Sequence, residues 1–387
     1  MNRTTMLVGA TGFGLIAACY GFGRFAFGLF MPRIAEDLAL STTLGGAISG
    51  ASFLGFCLAI ALAAWLTERV GPRPVAVAAG VIAAAGMVGI AASTSSTWLA
   101  IAVVAAGAST GLASPPMAAA VTALVQWGRQ DTTNTAINAG TSAGVALSGL
   151  VAIAMGAEWR LAFAGFAGAA IVMSLATLVV LAGCRANPEA CSTELVPTLT
   201  GGLRRLVGAA FLTGAASAVI WTFGADLVAE HLDWSDEQVG RLWAVMGGVG
   251  VLGAAAGWLV ARAGLNRVHV AAQVAMALAI VAVGHTATQP ALAMTGGGLF
   301  GATYLTLTGV YLVWGTAALP ERPASGVTLA FLALAVGQAL GAPAFGFLME
   351  RAAPDTAVLA FAALALGAAA IRRRTVSASA GGDDAPR

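Results

Sequence analysis

The stretch "AWLTERVGPRP" (Ala64–Pro74) sets one acid, two arginines, a glycine and two prolines into surroundings that are otherwise apolar. A related stretch, "GWLVARAGLNR" (Gly257–Arg267), returns 193 residues later, half of the 387-residue chain. A charged turn repeated at the half-length implies a duplicated unit. The apolar runs on either side say what that unit is made of. The chain is 59% hydrophobic and 9% charged, with mean hydropathy +0.87. Soluble domains carry about a quarter charged residues. A chain this apolar must be solvated by lipid, which demands helices of about 20 apolar residues or a closed barrel. Barrel strands alternate apolar and polar positions, whereas the runs here are continuous. The expected class is an all-α integral membrane protein.

Glycine, proline and charge divide the chain into twelve segments, near 6–31, 42–66, 74–94, 97–125, 133–156, 160–183, 204–230, 237–263, 267–287, 290–318, 323–349 and 354–372. They group into two six-helix bundles, 1–183 and 204–372. A central loop of soluble composition, 184–203, joins them, and a disordered tail, 373–387, follows. All 19 basic residues are arginine. With both termini on one side, that side holds 14 of them and the other side 4, while Arg24 lies inside segment 1. The positive-inside rule then puts both termini in the cytoplasm and the protein in the cytoplasmic (inner) membrane. A net charge of +2 gives no case for nucleic acid as a partner. Cys19 and Cys57 fall in apolar runs and act as small hydrophobes. Cys184 and Cys191 belong to the central loop, where a cytoplasmic setting keeps them reduced. Segment 1 is too long, and carries Arg24, so it is not expected to be a cleaved signal peptide.

The halves match in order. "IAEDLALS" (Ile34–Ser41) recurs as "VAEHLDWS" (Val228–Ser235), "AWLTERVG" as "GWLVARAG", and "GVALSG" (Gly144–Gly149) more weakly as "GQALGA" (Gly337–Ala342), at offsets of 193 to 194 residues. Two six-helix units in one orientation are parallel repeats, a transporter architecture. Segment 2, the Ala64–Arg73 loop and segment 3 together resemble the G-x-L-x-D-R-x-G-R-K region of the major facilitator superfamily. Ala64 stands for its glycine, Glu68 for its aspartate and Arg73 for a basic position. The opening "YGFGRFAFGLFMP" is also similar to bacterial carriers of the YbfB/YjiJ type. The resemblance covers about 6–372. It implies two bundles related by pseudo-two-fold symmetry, a cavity lined chiefly by segments 1, 4, 7 and 10, and rocking alternating access. It also implies that Glu68 caps the N-terminal end of segment 11 and holds the cytoplasmic side shut. Two family patterns are missing. Gly107 stands where many members carry a segment-4 arginine associated with proton coupling, and segment 5 lacks the Gly-Pro motif of drug antiporters.

Arg24 is the sharpest residue. A charge inside a membrane helix faces protein or a wet cavity, and a guanidinium fork matches a carboxylate. It is read as the anchor of an anionic substrate, against a structural ion pair or snorkelling. Asp226, in segment 7, is the expected partner when the site is empty, and with it a coupling residue. The alternative leaves Asp226 at a wetted helix end. Tyr20 shares the face of Arg24 one turn earlier. Asn138, Trp221, Tyr304 and Gln338 are expected to line the same cavity, although helix–helix hydrogen bonding is the simpler role for each one taken singly. Glu68, Arg69, Arg73 and Asp131 form the expected gate, with Arg69 and Arg73 placed to pair with Asp131. "GWLVARAG" keeps the tryptophan, the arginine and the glycine but has Ala261 for Glu68, so the gate is expected to be one-sided. His231, His269 and His285 are far apart, and no metal or other cofactor is implied.

These features point to a secondary active transporter that moves a small organic solute, anionic or amphipathic, with proton coupling left open. The expected partners are that solute, the lipid bilayer and, where transport is proton-coupled, a proton, and the chain is expected to work as a monomer. A multidrug or metabolite efflux antiporter is the alternative within the class. A membrane-embedded enzyme would need clustered ligands that the sequence lacks, and a non-transporting sensor would need a signalling domain. Without a Walker A pattern, ATP-driven transport has no support.

Overall fold

The computed structural model of the protein describes residues 3–184 and 200–373. The expected centre of the 184–203 loop, with Cys191, and the tail beyond Arg373 lie outside them. Among the described residues there is no strand. The first unit holds α1 Arg3–Leu38, α2 Thr42–Val70, α3 Pro72–Ala91, α4 Ser96–Leu124, α5 Trp127–Met155 and α6 Trp159–Val180. The second holds α7 Gly201–Leu232, α8 Asp236–Ala263 and α9 Leu265–Gly284, then α10 Pro290–Ala318, α11 Pro323–Arg351 and α12 Pro354–Ala370. Ten of these helices are long and apolar enough to cross a membrane. The 29-residue α10 and the 17-residue α12 complete the second set. Large apolar side chains such as Leu58 and Val179 stand on the outside, 70% and 73% exposed. Such a surface is stable only against lipid tails.

The duplication is visible in the backbone. Ala39 and Asp233 end α1 and α7 with φ of 49° and 53°, and Gly71 and Gly264 end α2 and α8 with φ of 89° and 86°. Their separations are the sequence offsets. Ser41 and Ser235 cap the helices that follow, each hydroxyl accepting an otherwise unpaired N–H. The repeated Trp-x-x-x-Arg also has a shared structure. Arg69 lies over the Trp65 ring at 4.2 Å and Arg262 over Trp258 at 5.7 Å. A spacing of four residues puts each pair on one helix face.

α1 departs from expectation. The sequence reading stops it near residue 31 because Pro32 follows, but it runs on to Leu38 with Pro32 inside. Membrane helices accept an internal proline where neighbours satisfy the freed carbonyl. Its middle, Ala17–Phe25, is wound as a π-helix, a form frequent at functional sites.

We call the face near Arg3 and Gly71 the terminal face and its opposite the far face. The described hydrogen bonds between the units run from the middle of the molecule to the far face. Ser49 shares a hydrogen bond with Thr222 at 2.8 Å. Nearer the end, Arg33 Nε donates to both Asp236 oxygens at 2.9 and 3.1 Å, and Thr43 N donates to Glu350 Oε1 at 2.8 Å. α1 and α7 cross at Gly28, where a Cβ would fall on the Trp221 carbonyl oxygen. Within the units α4 packs on α2 and α3, and α10 on α8 and α9; between them α2 packs on α11 and α5 on α8.

Candidate functional site

The π-helical turn carries Arg24 at the middle of α1. Fourteen residues separate it from Leu38, about 20 Å at 1.5 Å per residue. A segment ending near residue 31 would put Arg24 close to its outer end; the helix instead continues past Pro32. Arg24 is 7% exposed. Its Nη2 donates to Gln338 Oε1 on α11 at 2.7 Å. The Gln338 amide in turn donates to Tyr304 on α10 at 3.2 Å and Ser217 on α7 at 3.3 Å. The guanidinium carbon lies 4.5 Å from the ring centre of Phe53, 4.6 Å from that of Phe56 and 5.3 Å from that of Phe25. Trp221 stacks on Phe25 at 4.0 Å and meets Tyr304 edge-on at 5.2 Å. Tyr20, one turn before Arg24, shares a hydrogen bond with Ser114 of α4 at 2.9 Å. Helices of both units therefore build one buried cluster.

Its electrostatics are one-sided. The ionisable groups that interact with Arg24 are Tyr304, Tyr20 and Cys57. Among the described residues no carboxylate forms an ion pair with it. Two buried donors in the cluster, Arg24 Nε and Trp221 Nε1, have no acceptor among the described residues. A buried donor without a partner costs about 1–3 kcal/mol, more when charged. The cluster thus has a surplus of positive charge and of N–H groups.

Tyr20, Arg24, Trp221, Tyr304 and Gln338 come together as the sequence suggests. Asn138 does not. It is exposed toward the terminal end of α5, because the preceding Ile137 takes the inward position against Gly12 of α1 and successive helix residues point about 100° apart. Asp226 is not paired with Arg24 either. Arg24 reaches the level of Ser217 through Gln338, and Asp226 lies nine residues further along α7, about 13 Å. It lines a separate far-face cavity of about 280 Å³ with Glu230, Phe223, Met31 and Met349. Tyr311, seven residues after Tyr304, belongs to another buried network with Thr213 and Gln273.

The expected gate is not assembled on the terminal face. Arg69 stacks on Trp65, Arg73 Nε donates to the Leu178 carbonyl at 2.9 Å, and Asp131 is exposed. Neither arginine pairs with Asp131, since Arg69 is held by Trp65 of its own helix and Arg73 by the C-terminal end of α6. Glu68 is half-buried. Sequence reasoning missed Phe53, Phe56 and Ser217, and it missed the Arg33–Asp236 and Thr43–Glu350 links. Gly107, where the family arginine is absent, packs so tightly on Ser52 that even a Cβ would collide. Cys19, Cys57 and Cys184 are buried free thiols.

Two repeated helical units with a polar cluster enclosed between them are an architecture found among membrane transporters. The family model described as Major Facilitator Superfamily matches residues 13–196. Solved structures share the fold over nearly the whole chain. A nucleoside transporter, NupG, superposes with a TM-score of 0.73 at 15% identity, over 95% of this chain and 98% of that one. The xylose transporter XylE from E. coli, in a partially occluded inward-open conformation, gives 0.75 at 14%, over 95% and 97%. A bacterial homologue of the human lysosomal transporter Spinster, inward-facing and unoccupied, gives 0.74 at 15%, over 96% of each chain. Comparison with curated proteins gives no significant sequence match. Residues 13–196 thus match the major facilitator superfamily model, and nearly the whole chain shares the fold of these solved transporters.

Proposed function

We propose that the protein carries a small organic anion across the cytoplasmic membrane by alternating access, with Arg24 as the anchor. The observation that carries this reading is the buried guanidinium without a counter-ion among the described residues. An ionised residue at mid-membrane costs about 2.5–3.5 kcal/mol on insertion scales, and such residues are functional by default. A carboxylate arriving at Arg24 supplies the missing charge and takes up unsatisfied donors. Neutral partners (Tyr304, Tyr20) then orient the ligand without adding a second charge.

The concentration of inter-unit contacts toward the far face supports a state closed to the outside, if the terminal face is the cytoplasmic one. The arginine distribution supports that orientation. Asp226 and Glu230, at the far-face cavity, are the carboxylates best placed to take a proton from outside and couple it to closure. Glu68 is assigned to the opposite phase, when the terminal face closes and its charge meets the N-terminal end of α11. The test is uptake of a panel of organic acids into proteoliposomes, with and without an imposed pH gradient. Arg24→Ala is expected to lower anion uptake at least tenfold. Equal uptake without Arg24 would overturn the reading.

A further inference from the structure

The donors around Arg24 define the ligand more narrowly. This step rests on the anion-carrier reading and names the substrate class of the same site. We propose that the ligand is an aromatic monocarboxylate, and that the Gln338 side chain occupies the position of its carboxylate while the site is empty.

Charge sets the valence. Arg24 is the single cation of the cluster, and its charge interacts with two tyrosines and a cysteine rather than with another arginine. One carboxylate neutralises it. A second anionic group on the same ligand would be buried among aromatic rings without a counter-charge, which strongly disfavours dicarboxylates and phosphates.

The rings set the body of the ligand. Phe53 and Phe56 face the guanidinium at 4.5 and 4.6 Å, and Phe25, Trp221 and Tyr304 continue the aromatic surface at ring separations of 4.0 and 5.2 Å. Flat, polarizable walls favour offset or edge-on stacking with a flat partner. Aliphatic chains gain only area there. Trp221 Nε1, the second buried donor without an acceptor, accommodates an oxygen elsewhere on the ligand.

Gln338 supplies the sign of occupancy. Its Oε1 accepts from Arg24 at 2.7 Å while its amide nitrogen is held by Tyr304 and Ser217. A carboxamide has the shape of a carboxylate without its charge. It gives the guanidinium an acceptor but no neutralisation, so an incoming carboxylate displaces it. A true internal carboxylate at this position would compete on equal terms and keep the ligand out.

The test is equilibrium binding of radiolabelled benzoate and indole-3-acetate to the purified full chain. Unlabelled benzamide, butyrate and phthalate serve as competitors, being neutral, aliphatic and doubly charged respectively. Saturable binding of at least one aromatic monocarboxylate is expected, with each of the three competitors at least tenfold weaker. Gln338→Ala is expected to tighten binding two- to fivefold, because the competitor for the guanidinium is gone. Gln338→Glu is expected to weaken it at least tenfold while raising the thermal midpoint, a sign of an internal ion pair in an intact fold. Equal competition by benzamide, butyrate or phthalate overturns the proposal. So does unchanged binding in Gln338→Glu, or no saturable binding of either aromatic acid. If other anions then still show Arg24-dependent uptake, the substrate class falls and the anion carrier stands. If no anion depends on Arg24, the underlying reading falls as well.

Discussion

Arg24 is set apart from other arginines by what surrounds it. Arg69 and Arg262 stack on exposed tryptophans at helix ends, where water and lipid headgroups screen their charge. Arg24 is enclosed by rings and one carboxamide. The residue itself was legible in the sequence, as a lone charge in an apolar run. So were Tyr20, Trp221, Tyr304 and Gln338, as polar interruptions of apolar helices. Phe53 and Phe56 were not, because aromatic residues three apart on an apolar helix give the same signal whether they pack against a cation or a leucine. Asn138 was misplaced for a related reason: sequence gives its helix but not which neighbour turns inward. Since a lysine ammonium lacks the planar fork, Arg24→Lys is expected to leave uptake of an anionic substrate at least fivefold below wild type. Phe56→Leu removes one cation–π contact, valued at about 2 kcal/mol when desolvated, and is expected to weaken ligand affinity by a factor of a few. Anion uptake by Arg24→Lys and titration of ligand binding to Phe56→Leu, each beside the wild type, check the two.

At the scale of the element, the duplicated turn is a backbone device. Gly71 and Gly264 combine positive φ with ψ of 165° and 144°, a region that side chains disfavour. That explains why "AWLTERVG" and "GWLVARAG" share their last residue although Glu68 and Ala261 differ. Gly71→Ala and Gly264→Ala are each expected to cost about 1–3 kcal/mol, read as a lowered unfolding midpoint in detergent, with equal effects in the two units. Unequal effects would mean that the turns are not equivalent. The extent of α1 was the element least legible in the sequence. Proline is a dependable stop in water, but in a membrane bundle the surrounding helices repair the ladder. An error of seven residues there moved Arg24 from the outer third of the helix to its centre.

At the scale of the whole molecule, the two units were legible from the 193-residue offset, and the links between them were not. Arg33 and Asp236 are 203 residues apart and Thr43 and Glu350 are 307 apart, and nothing local marks them as partners. They hold the far face together in this conformation. Exposed pairs contribute about 0–1 kcal/mol each, so closure rests on several weak terms. Arg33→Ala with Glu350→Gln is therefore expected to shift the far-face closed population by up to roughly thirtyfold, about 2 kcal/mol for the two links together. Spin-label distances across that face would report the shift. Glu68→Ala is expected to alter transport and Ala261→Glu to leave it near normal. Near-normal uptake in Glu68→Ala would reduce that loop to a turn. The central claim is that substrate charge is received by Arg24. The most direct measurement is the transient current when an organic anion is rapidly mixed onto proteoliposomes adsorbed to a solid-supported membrane. The account predicts a saturable current in the wild type and none in Arg24→Gln. An undiminished current in that variant would contradict it.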